Sequence, residues 1–201
     1  MIYHIKPLLL AIPLLMLLTS SGCSLRSTPA INYFSLLSLE QLGSTVKLAD
    51  SSELKIGIGP VTLAEALSRS QIATRMKGNQ FAFDEYNRWA GPLEENLATT
   101  IGNNLVFLLG AGGVDYYPWR QYFRPTHRIV IAVERLDGEL GAEAVLEVRW
   151  SVVSPDGKKT LKEKRSVYRR TMAGSGYPDL VMEESLLVGD LCREIAQALI
   201  Q

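Results

Sequence analysis

By polarity alone, the chain divides into a dense apolar stretch near its start, a short polar gap and a long patterned remainder. Pro7-Leu-Leu-Leu-Ala-Ile-Pro-Leu-Leu-Met-Leu-Leu18 is apolar throughout, and Thr19-Ser20-Ser21-Gly22 leads from it to Cys23. Further on, residues 31–39 predict a first strand. Apolar positions 54, 56 and 58 alternate with Lys55 and Gly57, the period of two that marks a strand with one buried face. Residues 71–76 and 80–83 flank Lys77-Gly78-Asn79 and predict a hairpin with glycine at its turn. Trp89, Leu93, Leu97, Ile101, Leu105 and Leu108 recur every three or four positions, the single stripe of a long helix. Gly110, with Gly112-Gly113 behind it, ends that helix, because glycine takes the left-handed cap conformation without steric penalty. Strands follow over residues 114–117, 128–136, 144–153 and 159–170. The last three are joined at Asp137-Gly138 and Ser154-Pro155-Asp156-Gly157, both good turn chemistry. Glu147, Arg149, Lys162 and Lys164 are expected on one charged face of the final hairpin. A closing helix runs from about Pro178 to Ile200, with Leu187, Leu191, Ile195 and Leu199 inward. The chain shows no repeat and no second core. The pattern predicts one α/β unit: a two-layer sandwich, its sheet mostly antiparallel, with two long helices packed on one face.

The apolar stretch changes this picture, because its form is that of an export signal. Lys6 supplies a positive start, a dozen apolar residues follow, and small residues close it. Crossing roughly 30 Å of hydrocarbon takes about 20 apolar residues, so the stretch is short for a membrane-spanning helix. Gly22-Cys23 points to a lipoprotein signal, in which the thiol accepts a diacylglycerol before cleavage; a plain signal with an incidental cysteine is the alternative. The expected organisation is therefore a signal peptide over residues 1–22, a lipidated tether over 23–30 and a single periplasmic domain over 31–201. Ser24, in place of the aspartate that holds such proteins at the inner membrane, sends the chain to the outer membrane. Cys192 is then left alone. Its helical spacing with Val188 and Leu199 assigns it to the core, the safe place for a lone thiol in an oxidising compartment.

Charge and composition exclude several classes. Lys and Arg total 21, matched by 21 Asp and Glu. Removing Lys6 with the signal leaves a net charge of about −1, without the basic excess that phosphate binding needs. Nucleic acid is not an expected partner. His127 is the only histidine beyond the signal, so a zinc site would need carboxylates almost alone. Glu94-Glu95 and Glu183-Glu184 are neighbours in sequence and diverge on a helix. Gly57 and Gly59 are stopped by Pro60, not followed by a helix as a dinucleotide site requires. Gly174-Ser175-Gly176 lacks the spacing of a nucleophile elbow. No catalytic set, metal or cofactor is expected.

Two groups suit contact better than chemistry. Arg69, Gln71 and Arg75 lie near Arg88 and Trp89, which the apolar stripe places at the start of the long helix. Arginine and tryptophan are enriched among interface anchors, although Trp89 also fits the core. Tyr116, Tyr117, Trp119, Tyr122 and Phe123, interleaved with Arg120 and Arg124, form the second group. It suits a protein interface, a lipid headgroup contact or plain loop packing.

Several of these residues recur in one family. Cys23, then Tyr33-Phe34-Ser35-Leu36, then Ile58-Gly59-Pro60-Val61 resemble the PqiC/YmbA-type ABC-type transport auxiliary lipoproteins. The resemblance continues through Leu67-Ser-Arg69-Ser-Gln71-Ile72-Ala-Thr-Arg75, Arg88-Trp89-Ala90-Gly-Pro92-Leu93, Asn96-Leu97, Asn104-Leu105, Tyr117-Pro118-Trp119 and Trp150. Ser70 stands where a proline is common, Gly91 where an acid is common, and Ser20 where the signal usually has leucine. The resemblance implies a compact α/β fold and a non-enzymatic role at the outer membrane, as partner of an MCE-domain (PqiB-like) protein that carries lipid across the periplasm. It also implies self-association in some members, and a ring would suit docking onto an MCE tube. Arg69, Gln71, Arg75, Arg88 and Trp89 are the residues expected at, or supporting, the partner surface. A lipid carrier holding acyl chains in its own cavity is the competing expectation, and a periplasmic hydrolase a third.

Overall fold

A central strand thirteen residues long organises the sheet in this computed structural model, which describes residues 29–76 and 79–200. The strands are β1 (Asn32–Phe34), β2 (Lys55–Leu63), β3 (Gln71–Arg75), β4 (Phe81–Trp89), β5 (Gly113–Tyr116), β6 (His127–Glu139), β7 (Glu143–Val153) and β8 (Thr160–Thr171). The helices are α1 (Leu93–Leu109) and α2 (Tyr177–Ile200), with a 3-10 turn at Glu65–Leu67. Together they make one eight-stranded sheet. β6 is the central strand. One of its edges carries β7 and then β8, both antiparallel. Its other edge is shared: β2 runs parallel to it as far as Val133, and β3 touches it at Gly138. β5 extends β2, while β4 and then β1 extend β3. The antiparallel part of the sheet is thus the β6–β8 meander and the β3–β4 hairpin, and the remaining pairs are parallel.

Both helices lie on one face, as the pattern predicts, and the core fills the layer between. Ile56, Ile58, Ile129, Ile131, Leu105 and Leu187 are all inaccessible to solvent. Trp150 is 1% exposed, and its indole N–H donates to Ser166 Oγ at 3.2 Å, so even this polar atom is satisfied. α1 ends where glycine allows: Gly110 has φ +60° and donates back to the Val106 carbonyl at 2.9 Å. Burial pushes the Cys192 thiol up to about 12, so this inaccessible cysteine is an unreactive core residue. Among the described residues, no helix is long and apolar enough to cross a membrane. The expected export signal, Cys23 and the Lys77-Gly78 part of the hairpin turn lie outside the described residues.

Four expectations are corrected. β1 ends at Phe34, because the backbone beyond it is held by side chains: Leu36 N donates to Asn96, Leu37 N to Ser185 and Leu39 N to Asn104. Asp137-Gly138 is not a turn but part of β6, paired with Val145 and Ala144, and the chain reverses at Gly141, where φ is +80°. The glycine at 138 answers a close approach, since a Cβ there would lie 2.6 Å from Leu180 Cδ1 of α2. Trp89 and Arg88 belong to the end of β4; Pro92 intervenes before α1 begins at Leu93. The charges of the last hairpin divide between two faces. Lys164 reaches Glu194 on α2, whereas Arg149 pairs with Glu134 on the other side.

Candidate partner-binding face

The side of the sheet that faces away from the helices is the candidate site, and strand pairing builds it. In the β3–β4 hairpin, Arg75 stands opposite Phe81, Ala73 opposite Phe83 and, past a bulge, Gln71 opposite Arg88. Alternation along a strand then puts Gln71, Arg75, Phe81, Phe83 and Arg88 on the open face. Ile72 and Trp89 are turned to the core, 0% and 5% exposed. Phe81 and Phe83 stack with ring centroids 5.9 Å apart. The Arg75 guanidinium sits 4.3 Å over Phe81, and that of Arg69 4.9 Å over Phe83. Such cation–π contacts hold arginine upright over an apolar base while its donors stay available. Arg88 donates to Glu85 at 2.7 Å, and Gln71 donates to the same carboxylate at 3.1 Å.

Arg75 also links this patch to a charged network over β6–β8. Asp137, 1% exposed, accepts from Arg75 at 3.1 Å and from Arg135 at 2.7 Å. Arg165 joins Glu147 to Glu134, which also takes Arg149. The Arg165 hydrogen bond and the charge of Arg149 hold Glu134 below the usual carboxylate range, against the pull of desolvation. Beneath these side chains Val145 is fully buried, yet it is not part of the core cluster. The stems of long charged side chains cover such positions.

The expected site residues therefore separate. Arg69, Gln71, Arg75 and Arg88 share one face, whereas Trp89 packs inside and supports it from below. Phe81, Phe83, Glu85 and Asp137 were missed by the sequence reading. A signal for the two phenylalanines existed: their two-residue spacing opposite Arg75 follows from the hairpin register. The second aromatic group breaks up differently. Trp119 meets Tyr117 edge-on at 5.2 Å and lies 4.5 Å under Arg128, while Arg120 is committed to Asp115 at 2.9 and 3.1 Å. Tyr122 remains 74% exposed. His127 is half-buried, burial lowers its pKa, and its Nδ1 lies 3.2 Å from Thr126 Oγ1.

Fold and face define an α/β sandwich with a broad, largely polar surface on the side of the sheet away from α1 and α2. The chain belongs to the family of ABC-type transport auxiliary lipoprotein components, which it matches over residues 36–196. No curated protein matches it in sequence. A crystal structure of an uncharacterized protein superposes with a TM-score of 0.68 at 16% identity, covering 84% of this chain and 98% of that one. A Xanthomonas campestris protein of family DUF330 superposes at 0.65 with 13% identity, covering 82% and 92%. At these identities the likeness is one of fold. The expected family and sandwich are thereby established.

Proposed function

We propose that this chain is a non-enzymatic docking subunit of an intermembrane lipid transport system. Lipid on Cys23 holds it at the outer membrane, and the open face of the sheet binds an MCE-domain protein that spans the periplasm. The domain organisation is the one expected above: signal over residues 1–22, tether over 23–30, periplasmic domain from 31 onward. The observation that carries the reading is the convergence of Arg69, Gln71, Arg75 and Arg88 with two stacked phenylalanines on a face that, among the described residues, no helix covers. Arginine over an aromatic base is the kind of anchor that dominates interfaces, since it offers directional donors and apolar area together. Family membership as a transport auxiliary component supports it too.

A tethered domain raises the local concentration of its partner at the membrane, so a modest interface suffices. More than one acyl chain makes such an anchor durable. The carrier alternative needs an apolar cavity between sheet and helices. In that layer Ile129, Ile131, Leu105 and Leu187 are packed to zero exposure, and the groove of about 480 Å3 between β2 and the start of α1 opens to solvent instead of being enclosed, which favours docking.

The test is affinity purification of the full chain from detergent-solubilised membranes, with mass spectrometry of residue 23. Recovery of an MCE-domain protein together with a diacylated Cys23 is expected. An unmodified thiol with no MCE-domain protein would contradict the proposal.

A further inference from the structure

Apart from the open face, and independent of the reading above, one edge of the sheet is left unfinished. β5 accompanies β2 only as far as Ile58, whose carbonyl accepts the Tyr117 amide at 2.8 Å. The chain then leaves at Pro118, while β2 continues to Leu63 with, among the described residues, β6 along its other side alone. Backbone groups alternate between the two sides of a strand. Ala64 N donates to the Val133 carbonyl at 2.9 Å. Ala64 and Thr62 therefore address β6, and Val61 and Leu63 present their amides and carbonyls to the unpaired side. An unpaired strand edge is a template for another strand.

Beside this edge runs a groove of about 480 Å3, lined by Pro60, Val61, Ala98, Tyr117, Glu94 and Glu95 among others. Tyr117 is 57% exposed there. Among the described residues, neither Glu94 nor Glu95 forms a salt bridge. The dipole of α1 favours acids in its first turn, but it accounts for neither the open edge nor the apolar groove beside them.

We propose that this edge takes an extended peptide segment of a partner protein, added to β2 in the place that β5 leaves. Main-chain hydrogen bonds to Val61 and Leu63 hold it, alternate apolar side chains enter the groove, and a lysine or arginine meets Glu94 and Glu95. Strand addition of this kind takes affinity from the backbone and selectivity from the pockets. The two carboxylates disfavour an acidic peptide or an anionic headgroup.

Hydrogen exchange of the detergent-solubilised full chain tests this, resolved to single amides and using the blocked peptide acetyl-Thr-Val-Lys-Val-Thr-amide at about 2 mM. With a Kd of about 1 mM, two-thirds of the sites are filled. Exchange at Val61 and Leu63 should then slow about threefold. A backbone N-methylated version of the peptide, and one with glutamate for lysine, should leave both rates unchanged. Absence of protection by the lysine peptide, or equal protection by the N-methylated one, overturns the proposal. So does protection that rises with protein concentration without peptide, which would assign the edge to a second copy of the chain.

Discussion

The two faces of this sheet are made from the same strands and solve opposite problems. On the covered face, apolar side chains lie under α1 and α2, and most of the polar groups among them are matched. Lys164, Ser166 and Tyr168 converge on Glu194, and Arg170 spans Glu183 and Asp190. On the open face, stability comes from spreading charge over a lattice in which most acids serve more than one arginine. Exposed ion pairs contribute little each, so the outer part of that face, away from the buried Asp137, can be rewritten for binding at small cost to the fold. The covered face cannot.

The largest effect should come from the covered face. Trp150→Ala removes the largest fully buried side chain, and its expected cost is about 3–5 kcal/mol in urea unfolding. A loss below about 1 kcal/mol would mean that the helix layer is not the main source of stability.

A smaller effect of opposite sign is expected at Glu184, the exception on that face. It is fully buried on α2, and both its carboxyl oxygens are without a hydrogen-bond partner. Burial, helped by the charge of Asp137, pushes its pKa well above the usual carboxylate range. An unfolded chain releases this proton near pH 4.3 while the fold retains it, so the unfolded state holds fewer protons. Stability is therefore fullest below that pH and declines as pH rises toward the folded pKa. Glu184→Leu should stabilise the protein by about 1–3 kcal/mol at pH 7.5. The gain should shrink as pH approaches 4. A loss at pH 7.5 would break the contrast between matched and unmatched groups.

Smallest of all should be the change in stability on reversing two charges of the open face. Arg69 lies over an aromatic ring, and Arg88 pairs with the largely exposed Glu85. Arg69→Glu/Arg88→Glu is expected to shift stability by under about 1 kcal/mol. A larger loss in urea unfolding would make these arginines structural.

Much of this contrast is legible in the sequence, because period and punctuation are local. The stripe from Leu93 to Leu108 with Gly110 behind it places α1, and alternation at 54, 56 and 58 places β2. What is not legible depends on contacts distant in the chain. The backbone of Leu36 and Leu39 is satisfied by Asn96 and Asn104 on α1, and nothing local announces that those residues leave strand geometry. Trp89 continues the helical stripe by spacing alone, yet its amide donates to the Ser70 carbonyl at 2.7 Å, fixing it in the hairpin. Asp137-Gly138 has turn chemistry, but the acid sits between two arginines and the glycine admits Leu180. For the face itself, the sequence singles out the arginines, and the predicted hairpin carries a signal for Phe81 and Phe83; Asp137 joins them only through a contact distant in the chain.

The most direct test of the open face repeats the membrane purification with Arg69→Glu/Arg88→Glu beside the unaltered chain. Recovery of the MCE-domain protein is expected to fall at least about tenfold, the equivalent of 1.4 kcal/mol, while the melting temperature hardly moves. Undiminished recovery from a folded, anchored double variant would contradict docking through this face.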